Sequence, residues 1–395
     1  MHEGVVVPTH IVLSHSEQLD RLRRSCPPAA DRAVVAGDPC LDRLRDSFSL
    51  REAYRQSFGV RTGQKVVFVS STWGPDSLYG QEPGLPARIA RNLPIDEFVV
   101  LLALHPNIRQ GHFPWQLRMW LEDSRRSGIG VLPREDLWQQ AAIAADVTIG
   151  DHGSVTFYSA CLGTPVLLAT APHEAVDAAS PIAALLRAAP RLGDGDLAEQ
   201  LTATLNRPAP LQAVTDLATS VPGGSATRLL TLGYRTLRLS LPDPAPTLPD
   251  FPLPGFVRGE PSATWVTVIG EQIVRRAANS PVALAEGHLV VTTDSPDPRL
   301  LERASVVLGS RTADPLRWIV ATLRSLPGCQ WAACPDAFGW LAGSSTGTLV
   351  RYTTPELPQV VPSLLHALEP DLPKRFTTGV TTHEVEVELL LDQRP

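Results

Sequence analysis

The segment Ala145 to Ala169, ADVTIGDHGSVTFYSACLGTPVLLA, constrains the fold more than any other. Val147 to Ile149 reads as a short buried strand, and Gly150-Asp151-His152-Gly153-Ser154 as a polar loop. Val155 to Leu162 then suits a helix that Gly163 stops, and Pro165 to Ala169 begins the next strand. Strand, loop, helix and strand this closely joined require a parallel sheet, with the helix start facing the carboxyl ends of the strands. Unpaired N–H groups and the positive end of the helix dipole gather there, beside the small residues Gly153 and Ser154, so the place suits a phosphate or diphosphate. A βαβ corner that binds nothing has the same outline, so the neighbouring segments decide.

Two other apolar runs end in comparable tips. Lys65 to Ser71 reads as a strand entering a loop from Thr72 and Trp73 through Gly74 to Gly80, and Phe98 to Leu104 as a strand ending in His105-Pro106-Asn107. In an open α/β sheet the ligand crevice lies beyond the carboxyl ends of the strands, so these three tips are expected to share one crevice.

The order GDPxxDRL, strand with Ser/Gly loop, strand ending in LHP, then ADVxIGDxxSVxxxxxxLGxPVLL resembles the carboxyl-terminal nucleotide-binding half of two-lobed GT-B enzymes. The nearest pattern is that of the CDP-glycerol glycerophosphotransferase group, with the UDP-N-acetylglucosamine 2-epimerases more distant, and it spans roughly Thr9 to Thr170. The resemblance implies nucleotide binding by residues matching His105, Ser154 and the loop around Ser71, with the diphosphate at the helix starting near Ser154. Two departures stand out. The group's T-D-Y-S-S tip is replaced by Gly150-Asp151-His152-Gly153-Ser154, and the acceptor-binding lobe that precedes this half in a full GT-B enzyme has no counterpart beyond Val5 to Ser14. The chain is then expected to be a truncated descendant, to borrow that lobe from a partner subunit, or to use the residues after 240 in its place.

The candidate site residues each carry two readings. His105 touches ligand or caps its own loop, held extended by Pro106. His152 acts as a base or phosphate donor, or shapes the loop. Asp151 deprotonates an acceptor hydroxyl, or caps the N–H groups of the following helix. Ser71, Thr72, Trp73, Gly74, Gly153 and Ser154 form the nucleotide and phosphate cradle, with Trp73 stacking on a base or simply packing. Arg109, with His112 and Arg118, neutralises a diphosphate or stays solvated. Asp38 and Asp42 are expected to cap a helix and pair with Arg43. His105 and His152 would stabilise the leaving phosphate, and this scheme requires neither a metal nor another cofactor.

Composition frames these expectations. The 395 residues, 43% hydrophobic and 19% charged, suit a globular protein of two domains. The net charge of −6 argues against nucleic acid as a partner. Only Lys65 and Lys374 are lysines, and the Arg-, Ala- and Pro-rich usage points to GC-rich bacterial coding. No apolar run is long enough for a transmembrane segment and the start is unlike a signal peptide, so a cytoplasmic location is expected. Five cysteines without a CxxC pair indicate neither a disulfide framework nor a zinc site.

Proline recurs from Leu241 to Pro261, which predicts an extended linker between a domain over residues 1–240 and a second over 262–395. Strand and helix alternate in the first, giving an α/β, Rossmann-like, mainly parallel sheet. The second reads as a smaller α/β unit with strands at Thr264 to Ile269, Leu289 to Thr293, Ser305 to Leu308, Gly347 to Tyr352 and Val385 to Leu391. Helices are expected at Gln272 to Ala278, Pro298 to Ala304, Pro315 to Ser325 and Pro355 to Leu368, and a hairpin turn at Gly343 to Gly347. The expected ligand is a nucleotide-activated small-molecule donor, bound for transfer of a glycosyl or glycerophosphoryl group. The rival expectations are a nucleotide sensor or scaffold without turnover, and a 2-epimerase-like enzyme, which lacks a visible carboxylate pair.

Overall fold

The computed structural model describes residues 5–133, 137–243, 247–280, 287–368 and 373–391. It begins with a parallel pair, β1 (Ile11–Leu13) and β2 (Ala33–Val35), that stands apart from the main sheet. Five parallel strands follow: β3 (Lys65–Ser71), β4 (Phe98–Leu104), β5 (Gly130–Val131), β6 (Val147–Gly150) and β7 (Val166–Leu168). Their order is β5-β4-β3-β6-β7, so the chain reverses its winding between β3 and β6, and a crevice opens at that switch point.

Continuous apolar runs build this sheet because both of its faces are covered. Val67, Val69, Val100 and Leu102 pack with Tyr79, Leu85 and Ile89 on one side, while Val66, Phe68, Val99 and Leu101 pack with Tyr54, Phe58 and Ile143 on the other. The helix Trp138–Ala144 leads into β6; residues 134–136 lie outside the described residues. Cys161 sits in the buried face of the helix Ser154–Cys161, and burial pushes its thiol up to about 12, so it packs as an inert group.

The proline-rich segment from Pro249 to Pro254 does not run free. Arg43 donates to the carbonyls of Pro249 and Asp250, Tyr54 to Phe251, Gln140 to Pro252 and Ser57 to Pro254, while the Phe251 side chain is buried. The segment is a strap laid along the first unit. Arg43 is thereby occupied, and the expected pairing with Asp38 and Asp42 gives way to other contacts. Asp38 caps its own helix through the amides of Cys40 and Leu41, and Asp42 accepts from Gly223 and Ser225 at the start of the helix Ser225–Leu237.

Beyond the strap lies a mixed ten-stranded sheet. Its strands are β8 (Ala263–Ile269), β9 (Gln272–Ala277), β10 (His288–Thr292), β11 (Val306–Leu308), β12 (Trp331–Pro335), β13 (Trp340–Ser344), β14 (Leu349–Thr353), β15 (Arg375–Thr378), β16 (Thr381–Glu384) and β17 (Glu386–Leu391). They run in the order β16-β15-β9-β8-β10-β11-β12-β13-β14-β17. The helix Val361–Leu368 covers one face through Leu364 and Leu365, and Pro315–Ser325 covers the other through Ile319. The expected helix at Gln272 to Ala278 is instead β9, whose Ile273, Arg275 and Ala277 alternate inward in a hairpin with β8. The hairpin turn at Gly343 to Gly347 joins β13 to β14.

The second sheet docks against the first unit at the amino ends of β3 and β4, away from the strand tips. Arg275 grips Asp96 at 2.6 and 2.9 Å, Arg61 reaches Asp96 at 2.8 Å and Glu260 at 2.5 Å, and the Ile95 amide donates to the Arg275 carbonyl at 3.0 Å. Burial alone would raise Glu260, but Arg275, Arg61 and Arg258 outweigh it and hold the carboxyl down to about 2. Arg61→Met is expected to lower stability by about 1 kcal/mol, since Arg275 still neutralises both carboxylates and Arg61 is partly solvated. The shift in denaturant midpoint at unchanged slope measures it, and a midpoint equal to the parent's removes this network from the contact.

A second electrostatic feature lies inside the ten-stranded sheet. His288 meets His366 edge to face at 4.5 Å, and burial, then that neighbour, lowers His288 to about 3. A folded-state pKa below the unfolded value gives stability that is present above about pH 6.5 and lost as pH falls toward 3. His288→Phe is expected to flatten that acid limb by up to roughly 1.4 kcal/mol per pH unit. Thermal midpoints of parent and variant that fall in parallel from pH 7 to 4 would contradict this.

Candidate functional site

At the switch point the tips of β3, β4 and β6 enclose a hollow of about 270 Å³. Ser71 and Thr72 come from the first tip, His105 and Arg109 from the second, Gly153, Ser154 and Val155 from the third, and Trp138 closes a side. The volume falls just under the usual range for small-molecule pockets, roughly 300–1,000 Å³, so a larger ligand would extend beyond the hollow. Among the described residues, no acidic side chain lines it.

Asp151 is the reason the tips converge. Its side chain is fully buried, and its carboxylate accepts the amides of Thr72 at 2.9 Å, Leu78 at 2.8 Å and Gly153 at 2.9 Å, with the Ser71 hydroxyl at 3.4 Å. Its own amide donates to the Thr156 hydroxyl at 3.2 Å. A carboxylate saturated by donors and sealed from solvent cannot collect a proton from a substrate, so the general-base reading of Asp151 is replaced by that of a clamp between β3 and β6 tips. Gly150 belongs to the same lock, because a Cβ there would stand 2.2 Å from the Thr156 hydroxyl oxygen.

The clamp takes the Gly153 amide and leaves the next ones open. Gly153 caps the helix Ser154–Cys161 with φ −75° and ψ 153° and has no side chain to satisfy the first turn. The amides of Ser154 and Val155, both lining the hollow, have no acceptor among the described residues. Gly153 is suited to close approach: a Cβ would lie 3.1 Å from both Thr72 and the Asp151 carboxylate.

His105 is fixed at both backbone and ring. Its amide donates to the Ser71 carbonyl at 3.1 Å, tying the β3 and β4 tips, and Nδ1 accepts the Asn107 amide at 3.1 Å. An acceptor at Nδ1 puts the proton of the neutral ring on Nε2, which is then the donor offered to a ligand. Trp73 stands at the rim, 54% exposed, with its ring 6.3 Å from that of His105.

Three expected contributors are placed differently. Arg109 lines the hollow, but two of its guanidinium nitrogens hold the carbonyls of Leu132 and Pro133, so its paired donors face the loop after β5 and it supplies mainly positive charge. His152 is half-buried on the β6 turn, outside the hollow's lining, with Nδ1 buried and unpaired. Gly74, at φ +94°, turns the β3 loop toward a second hollow.

Trp138 has no place among the residues expected from the sequence, yet it lines the hollow and stacks on Tyr158 at 5.7 Å and 20°. Tyr158 in turn donates to Asp38 at 2.8 Å, and burial followed by the Asp38 charge raises its pKa. The available signal was an aromatic on each of the two helices that flank β6. The chain thus offers a flat ring, open helix amides, one imidazole N–H and a nearby guanidinium, which together accept a planar group and an adjoining anion.

No sequence family and no curated protein matches the chain. Among solved structures it is similar to a variant of the wall teichoic acid polymerase TagF soaked with CDPG, at 15% identity and a TM-score of 0.39, over 58% of each chain. It is similar to the UDP-GlcNAc 2-epimerase of Neisseria meningitidis bound to UDP-GlcNAc at 15% identity and 0.37, over 58% of this chain and 62% of that one. S. aureus MnaA with UDP gives 12% and 0.38, over 63% and 65%. This chain spans less than two thirds of the length of each.

Proposed function

We propose that the hollow binds the diphosphate of a nucleotide-activated small-molecule donor and that the chain serves transfer of a glycosyl or glycerophosphoryl group. The observation that carries this reading is the uncapped start of the helix Ser154–Cys161, whose Ser154 and Val155 amides open onto the same hollow as His105. Phosphate oxygens would take those amides, Nε2–H of His105 would meet charge developing on the leaving phosphate, and Trp138 or Trp73 would lie against the base. Donors already fixed by the Asp151 clamp need no rearrangement when that charge forms.

A specific observation supports a second reading, binding without turnover. The ten-stranded sheet docks at the amino ends of β3 and β4, so it leaves the tips uncovered, and a self-contained cleft between the two units is not formed. That geometry weighs against the expectation that the residues after 240 take the acceptor lobe's place. A transferase reading therefore calls for an acceptor-binding surface facing the tips. The epimerase reading has the least support, since no carboxylate among the described residues lines the hollow to move a proton at a sugar carbon.

Calorimetry with CDP, UDP and CMP tests the binding step. The diphosphates are expected to bind at least 10-fold more tightly than the monophosphate; equal heats for CDP and CMP would remove the diphosphate site. Release of UDP or CDP from a glycosyl donor, or of CMP from CDP-glycerol, abolished in His105→Ala, supports the transferase, whereas binding with no release supports the sensor.

A further inference from the structure

We propose that a second hollow, on the other side of the helix Pro106–Gln110, is a ligand site for a small amphipathic anion. It encloses about 510 Å³ and is walled by Pro75, Tyr79, Ala87, Ile108 and Trp120, within the ordinary size of small-molecule sites. No residue lines both hollows, and the site stands whether or not the first binds a nucleotide.

Two polar groups inside this apolar wall lack partners. Tyr79 is 6% exposed, and its hydroxyl is buried without a hydrogen bond. A buried hydroxyl without a hydrogen bond is destabilising, and a ligand acceptor would recover that loss. Arg91 also lines the hollow, its Nε is buried without a partner, and no carboxylate pairs with it among the described residues. A cation so placed calls for an anionic group, and a guanidinium favours a planar or tetrahedral oxyanion such as a carboxylate, sulfonate or phosphate.

The remaining wall sets the body of the ligand. Ala87 and Ile108 are apolar, and the His112 ring stands edge-on to Trp120 at 4.7 Å and 72°. An aromatic or short aliphatic body fits these surfaces. Asp123 also lines the hollow but is exposed, so its charge stays hydrated while the charge to be neutralised within is that of Arg91.

The test is a fluorescence titration of the full chain with 8-anilinonaphthalene-1-sulfonate, an aromatic body carrying one sulfonate. Saturable binding near one dye per chain is expected. Arg91→Met is expected to weaken it at least 10-fold. Gly84→Phe is expected to do the same by filling the mouth, and it should fold, since a Cβ at Gly84 meets nothing within 4 Å. The uncharged N-phenyl-1-naphthylamine should bind parent and Arg91→Met alike, which separates lost charge from lost structure. Absence of saturable binding to the folded chain, or identical curves for parent and both variants, overturns the proposal.

Discussion

Asp151→Ala is expected to lower stability by about 3 to 6 kcal/mol, enough to leave most of the chain unfolded or aggregated on expression. The substitution strands three backbone amides, those of Thr72, Leu78 and Gly153, that meet no other acceptor in the described structure. Each unsatisfied buried donor costs about 1–3 kcal/mol, and water reaching the new gap recovers only part of that. Asp151→Asn keeps one acceptor oxygen for the Thr72 and Leu78 amides but turns its NH₂ group toward the Gly153 amide, so it should lose about 1–3 kcal/mol, less than the alanine variant. If Asp151 served as a base instead, the asparagine variant would fold like the parent and lose only turnover. A thermal midpoint within about 2 °C of the parent for Asp151→Asn would therefore refute the clamp.

The same residue shows where sequence reasoning reaches its limit. An aspartate ahead of a helix can cap it or do chemistry, and local spacing favours neither strongly. Its partners Thr72 and Leu78 lie on another strand tip, so the choice depends on the β3–β6 pairing and not on neighbours in sequence. The β6 corner itself was legible because the apolar strand ends at Gly150, a polar loop follows, and Gly163 stops the helix beyond it. Trp138 was not, since its stacking on Tyr158 arises only when two helices pack beside one strand.

The second unit was harder to read for a physical reason of its own. β9 carries arginine at an inward position, because Asp96 from the first unit neutralises it there, and a buried charge breaks the apolar alternation that marks a strand. QIVRRA then reads like one turn of an exposed helix. β12, with WAACP, and the Thr-rich hairpin of β15 and β16 gain strand character chiefly from their partners. Asp96 and Arg61 look like solvated charges in sequence, so neither the docking pole nor the uncovered tips could be foreseen.

Ser154→Pro is expected to weaken binding of a nucleoside diphosphate about 10- to 100-fold while leaving the fold intact. Proline is favoured at the first position of a helix, where its missing N–H breaks no intrahelical bond. The residue before it, Gly153, already holds φ −75° and ψ 153°, the extended region that a following proline requires. The substitution therefore removes the Ser154 amide that opens onto the hollow with little strain. A hydrogen bond from a backbone amide to a charged phosphate oxygen contributes about 1.5–3 kcal/mol, which sets the expected range. Ser154→Ala, which keeps the amide and drops the hydroxyl, should bind within about 3-fold of the parent if the amide dominates. Calorimetry on the three proteins separates the cases. If Ser154→Pro folds normally and binds CDP as the parent does, the Ser154 amide contributes nothing, and any anion held in the hollow must answer to the Val155 amide, His105 and Arg109.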